Sequence, residues 1–256
     1  MKYVMVTGAT SGIGYEIAKL YFGKGYYVVL VGRDKEKLDI TKTSLQEIRE
    51  GNKDKKIKIY VKDLSLPNAG VQLYKEVKKD GIVVDILVNN AGAGYVGEFK
   101  NINYKQHEEI LRLNIESMTQ LTYLFGKDMC TRKSGKILNI ASTGGYHSGA
   151  YTALYYATKA YVLSLSEALN REMKPYGVGV SVICPGATRT NFSKRAGRKD
   201  SKISMSPEFV AKKAIRGVCK NKRVIIPGFR NKLFVKLPRN VAGYFVARYQ
   251  NKLRDL

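Results

Sequence analysis

"YVMVTGATSGIG", residues 3–14, runs from a continuous apolar stretch through glycines at 8, 12 and 14 into the helix-forming "YEIAKLYFG" (15–23). Residues 3–7 are apolar at nearly every position, as a parallel strand covered on both faces requires. Gly8 permits a tight turn without a Cβ clash. Gly12 and Gly14 let an anion approach the start of the next helix, where unpaired N–H groups and the helix dipole favour negative charge. Ser11 and Ile13 complete this cradle. A strand, a glycine turn and a helix in that order predict a pyrophosphate-binding unit.

The same alternation continues along the chain. Strands are predicted at 27–31, 57–61, 85–89, 136–140 and 178–183, with "RVIIP" (223–227) as a seventh. Helical patterns lie near 12–23, 34–50, 67–80, 104–131, 151–174 and 207–219. Strand–helix alternation with right-handed crossovers predicts an α/β fold: a single Rossmann-like, doubly wound parallel sheet of about seven strands flanked by helices. Ligand is expected at the carboxyl ends of the strands. Residues 1–227 form the expected catalytic domain, and 228–256 a basic C-terminal helical tail.

Composition narrows the setting. Cys130, Cys184 and Cys219 are too far apart in sequence for a disulfide framework or a metal cluster, so no metal is expected and a reducing, cytoplasmic location is. An apolar stretch that already reads as a strand from residue 2 sets the expectation of no signal peptide, and no apolar run is long enough to span a bilayer. Net charge is +24 and uneven: residues 194–256 hold 18 Lys/Arg against 3 Asp/Glu. Such a chain attracts anions at long range. The lysines are scattered and lack interleaved stacking aromatics, so nucleic acid is not the expected partner.

The second strand ends at Gly32, followed by Arg33. A site selective for NAD(H) places a carboxylate at this tip to bond the ribose 2′-OH. Arg33 offers a planar, permanently charged fork suited to a 2′-phosphate, which points to NADP(H). Asp34 competes for the NAD(H) reading and is assigned to the N-cap of the next helix.

Further along, "YYATKAY" (155–161) sets Tyr155 four residues before Lys159, on one helix face. A nearby ammonium stabilises a phenolate and brings a tyrosine toward general acid–base work at neutral pH. Tyr156 has Ala160 as its partner at the same spacing and does not qualify. Ser142, just past the fifth strand, could donate to a carbonyl oxygen as charge develops there. Asn114 interrupts the apolar stripe Ile110, Met118, Leu121, Phe125. It is either a satisfied buried amide or the anchor of a water that relays protons to Lys159.

These residues resemble the short-chain dehydrogenase/reductase family, classical type. The matches are "TGATSGIG", "NNAG" (89–92), Asn114, Ser142, Tyr155-x3-Lys159 and "PGATRT" (185–190), in the family's order across residues 2–190. The resemblance implies a catalytic tetrad of Asn114, Ser142, Tyr155 and Lys159, with Tyr155 protonating a carbonyl while hydride arrives from a nicotinamide. It also implies that Tyr155 and Lys159 meet the nicotinamide ribose. Asp63 would sit by the adenine, Asn90 near the adenosine ribose and Thr188 at the nicotinamide amide. Ser11 stands where some NADP-preferring relatives carry a basic residue, which leaves selectivity mainly to Arg33. A homo-dimer or homo-tetramer built on helices 104–131 and 151–174 is implied as well.

The expected substrate is a small-molecule carbonyl or alcohol, acyl or lipid-like by resemblance. Its choice is expected to lie in Ala93–Tyr104 and in a basic lid at Asn191–Ser206, with His147 within reach. In the tail, Val241, Ala242, Phe245, Val246, Tyr249 and Leu253 form a helical stripe opposed by Arg239, Arg248 and Lys252. Such a helix can lie on an anionic membrane or pack on protein, and protein packing is the expectation. The competing function is a cofactor-sensing module without turnover, docking through its tail.

Overall fold

A computed structural model describes residues 2–48, 57–192 and 204–254, the last three of these as backbone. Seven parallel strands form one sheet in the order β3-β2-β1-β4-β5-β6-β7. They are β1 Tyr3–Thr7, β2 Tyr27–Gly32, β3 Ile57–Val61, β4 Val84–Asn89, β5 Gly135–Ile140, β6 Val178–Ile183 and β7 Val224–Ile225. The strand order confirms the doubly wound reading. β7 is shorter than "RVIIP" suggested, and Pro227, which has no N–H to give a ladder, follows two residues later.

Successive strand residues point to opposite faces, and both faces are buried. Val4, Val6, Val28 and Leu30 join a core closed by α1 (Gly12–Gly23), α2 (Lys35–Glu47) and, further along the chain, α7 (Pro207–Cys219). Met5, Val29, Val31 and Leu87 face the other way, against α3 (Ala69–Lys79) and α5 (Met118–Thr131). Helix α6 (Ala153–Met173) packs beside them, against β6.

The helix expected over 104–131 is interrupted. Helix α4 (Tyr104–Leu111) passes through a π-helical segment, Arg112–Ser117, before α5 begins. Such wide turns cost hydrogen-bond geometry and recur at functional sites; this one carries Asn114.

A buried polar chain crosses the sheet beneath α6. Asn89 Nδ2 donates to Thr122 Oγ1 and to Asn139 Oδ1, each at 2.9 Å. Asn139 Nδ2 donates to Ser166 Oγ at 2.9 Å, and Ser166 donates onward to the Val162 carbonyl at 2.6 Å.

After β7 come α8 (Phe229–Phe234) and α9 (Arg239–Arg254). Ala242, Val246 and Gln250 of α9 are buried, while Val241, Tyr244, Phe245 and Tyr249 are exposed. The stripe expected in the tail is therefore split. Arg248 does not oppose the exposed apolar residues: at positions 241, 244, 245 and 248 it shares their face. The expected roles of Leu253 and Lys252 fall on side chains outside the described residues.

Candidate active site

The chain reverses its direction across the sheet between β1 and β4, and at their carboxyl ends lies a cavity of about 700 Å³. From the first turn, Gly8, Ser11, Gly12 and Ile13 form part of its wall. Gly8 and Gly12 hold φ of +64° and +58°, a backbone that L side chains rarely adopt. Ser11 is the N-cap of α1 but makes no side-chain capping bond, so the first-turn N–H groups keep their capacity for an anion.

Gly14 differs from its expected role. A Cβ there would stand 2.4 Å from both Asn90 Nδ2 and the Gly8 carbonyl oxygen, and Gly14 does not line the cavity. Its bareness lets α1 close onto the turn. Asn90 fastens the same turn, its Nδ2 donating to the carbonyls of Thr7 and Gly8 at 2.9 and 3.0 Å. Both Asn90 and Asp63 line the cavity, and Asp63 accepts from the N–H and hydroxyl of Ser65.

Arg33 also lines the cavity, at the tip of β2. Asp34 caps α2, accepting from the Lys37 N–H at 3.1 Å, as read from the sequence. Lys37 holds that exposed carboxyl below its ordinary range. Arg33 Nη1 lies 3.2 Å from Glu109 Oε1 of α4, and the other oxygen of Glu109 accepts from the Tyr95 hydroxyl.

Ser142, Tyr155, Lys159 and Thr188 line the same cavity. Ser142 opens a 3₁₀ turn, Thr143–Tyr146, its Oγ accepting from the Gly144 N–H at 3.0 Å. Tyr155 and Lys159 share a face of α6, with Nζ 5.7 Å from the phenol ring centre. The ammonium donates to the Ile140 carbonyl at 2.8 Å, tying α6 to the end of β5. Burial brings the Lys159 pKa down to about 8, since desolvation disfavours the charged form. Beneath it, burial pushes the Cys184 thiol up to about 12, so it stays neutral. Thr188 Oγ1 donates to the Gly186 carbonyl at 2.9 Å.

Asn114 lies behind this wall. Its Oδ1 accepts from the Ala93 N–H at 2.9 Å, and its Nδ2 donates to the Ala93 carbonyl at 2.9 Å and the Thr158 hydroxyl at 3.0 Å. The side chain is thus a satisfied buried amide that clamps the segment after β4 to α6. His147 sits neither at the substrate wall nor on the polar surface. It is buried, with Nε2 3.0 Å from the Phe234 carbonyl.

Ala93, Gly94 and Tyr95 line the cavity, as do Thr190 just before the expected lid and Phe192 and Ser204 within it; residues 193–203 of that lid lie outside the described residues. The tail adds Phe234, Phe245, Val246, Tyr249 and Gln250 to the wall, which the sequence reading did not assign to the site. The apolar spacing at 242, 245, 246 and 249 was the available signal. Glu109 and Tyr95 were also missed as individual contacts, and no local pattern marks them.

The lining suits a dinucleotide. The wall combines an uncapped helix start and two positive-φ glycines with a guanidinium, and a buried ammonium with a phenol.

Comparison with known proteins agrees. The profile of a family described as short chain dehydrogenase matches residues 2–201. Dehydrogenase/reductase SDR family member 7B of Danio rerio is 32% identical over 243 residues, covering 88% of this chain and 76% of that protein. Very-long-chain 3-oxoacyl-CoA reductase of Homo sapiens is 31% identical over 227 residues, covering 85% and 68%. A solved short-chain dehydrogenase from Sphingobium yanoikuyae in complex with NADPH aligns with a TM-score of 0.83 at 29% identity, covering 93% of this chain and 97% of that one. The chain belongs to the short-chain dehydrogenase family, oxidoreductases that act between a carbonyl and its alcohol with a nicotinamide dinucleotide.

Proposed function

We propose that the protein is an NADP(H)-dependent carbonyl reductase, with an acyl or lipid-like ketone as substrate and Tyr155 as general acid. The observation that carries this reading is the placement of Tyr155 and Lys159 on one face of α6, at the wall of the cavity that the Gly8–Ile13 turn also lines. When bound, the dinucleotide supplies the hydride. Tyr155 gives its proton to the carbonyl oxygen in the reductive direction and recovers it in the oxidative one. The Lys159 ammonium favours the phenolate left behind. Ser142 hydrogen-bonds the carbonyl oxygen and fixes its approach. Asn114 positions α6 through Thr158. Gly8, Ser11, Gly12 and Ile13 hold the pyrophosphate; Asp63 and Asn90 border the adenosine, and Thr188 the nicotinamide amide.

Preference for NADP(H) is supported by Arg33 at the rim, with the neighbouring Asp34 committed to its helix cap. A lipid-like substrate is supported by the aromatic wall of Phe192, Phe234, Phe245 and Tyr249, and by likeness to a 3-oxoacyl-CoA reductase. The family's habit of oligomerising extends here to contact through α5 and α6, where Tyr123 and Tyr161 are exposed.

Purified protein with NADPH, screened against 3-oxoacyl thioesters, steroids and simple ketones, tests the reading. Tyr155→Phe should lower turnover by roughly 10²- to 10⁴-fold with NADPH affinity nearly intact. NADPH binding without turnover of any carbonyl would instead support a cofactor sensor.

A further inference from the structure

We infer that α8 and α9 form a docking surface for an anionic lipid bilayer, with the mouth of the active-site cavity turned toward the lipid. Between Phe229 and Tyr249 seven large apolar side chains are exposed, among them Phe229 at 74%, Tyr244 at 64%, Phe245 at 58% and Tyr249 at 50%. Phe229, Leu233 and Leu237 recur every four residues along α8 and past its end. Val241, Tyr244 and Phe245 are exposed in the same way on α9. Exposed large apolar groups gathered on one short segment mark an interaction site, where scattered ones would not.

Charge selects the occupant. Arg230, Lys232, Lys236, Arg239 and Arg248 are all exposed, and residues 228–250 contain no Asp or Glu. Exposed cations on the same two helices as the exposed tyrosine and phenylalanine suit the headgroup level of a membrane, where each cation near an anionic surface strengthens binding roughly five-fold. A second copy of this chain fits poorly, because the same basic face would meet itself on a molecule of net charge +24. No helix among the described residues is long and apolar enough to cross a membrane, so the contact is peripheral.

The surface is continuous with the site. Phe245 and Tyr249 belong both to the exposed face and to the cavity wall. A substrate with an acyl chain could pass from the bilayer to Tyr155 without crossing water. This last point rests on the reductase reading; the docking does not.

The test is sedimentation of the full chain with vesicles of phosphatidylcholine alone and of phosphatidylcholine with roughly one phosphatidylserine in three. Binding is expected to the mixed vesicles and to fall steeply with added salt. Charge reversal by Arg230→Glu, Lys232→Glu and Lys236→Glu together should weaken it at least roughly 100-fold. Phe229→Ser with Leu233→Ser should weaken it at least roughly ten-fold. All five positions lie off the cavity wall, so NADPH affinity, measured on the same samples, reports that each variant is folded. Equal binding to both vesicle types, or binding unchanged in either variant, would overturn the proposal. So would sedimentation of a dimer that Phe229→Ser with Leu233→Ser dissolves, which would assign the face to a second copy.

Discussion

Arg33 at the tip of β2 and Glu109 in α4 stand 76 residues apart in sequence and 3.2 Å apart in space, both at the cavity wall. With Tyr95 on its second oxygen, Glu109 links Arg33 to the segment after β4 along the cavity wall. The guanidinium read as a 2′-phosphate ligand therefore already has an anionic partner, and a phosphate must compete with it.

Glu109→Gln removes that competition. Because the pair is part-exposed, with side chains 55% and 22% accessible, its strength is modest. The substitution is expected to tighten NADPH binding by roughly two- to five-fold and leave NADH unchanged. Arg33→Ala is expected to weaken NADPH by roughly ten- to a hundred-fold, with NADH little affected. Fluorescence titration of each cofactor reads both effects. Equal loss of the two cofactors in Arg33→Ala would reject the role given to the guanidinium.

Lys159 makes stability depend on pH. Its folded pKa of about 8 lies below the ordinary 10.5, so between these values the unfolded chain binds more protons and stability rises with pH. Below pH 8 both states are protonated and the full burial cost is present. Lys159→Met removes the cost but leaves the Ile140 carbonyl unbonded. The variant should be more stable than wild type at pH 7 by about 1–2 kcal/mol, with the gap closing toward pH 10. Urea unfolding at several pH values measures the gap, and a difference that does not vary with pH contradicts the assignment.

Asn114→Leu strips partners from the Ala93 N–H, the Ala93 carbonyl and the Thr158 hydroxyl. A loss of about 2–4 kcal/mol is expected, together with a fall in kcat well below the melting temperature. Thermal unfolding with parallel steady-state kinetics separates the two. Full kcat in the folded variant would confine Asn114 to stability.

Gly94→Ala tests the space beside the phenol. A Cβ there would lie 2.8 Å from Tyr155 Cδ2 and 3.0 Å from Phe192 Cζ. Displacing Tyr155 should lower kcat by roughly ten-fold or more while the melting temperature moves little. Gly23→Ala, at the end of α1 with nothing near the added carbon, is the comparison and should stabilise by up to about 1 kcal/mol.

Much of this architecture is written locally. A parallel strand buried on both faces must be apolar throughout, so β1 through β6 stand out from their helices, and the turn after β1 announces itself by glycine. Asn114 and the Tyr155–Lys159 spacing were visible because a polar group on an apolar stripe, or a pair at one helical turn, is a local pattern. The Glu109 contact and the aromatic wall from α8 and α9 were not, because they exist only once distant segments pack. The π segment was hidden for a different reason: a widened turn changes hydrogen-bond partners without changing which residues favour helix. Gly14 shows that a motif position can be read correctly as glycine and still serve packing in place of ligand approach.

The asparagine chain under α6 bears on how such an enzyme tolerates redesign. Apolar contacts alone would let a helix roll about its axis by one side-chain step, about 100°, at little expense. Directional bonds from Asn139 to Ser166 fix its rotational phase, and Ser166 lies two turns beyond Lys159 on the same side. The aim of the phenol is thus calibrated from the middle of the sheet, and a well-folded Asn139→Leu protein could misdirect it with every residue of the cleft intact.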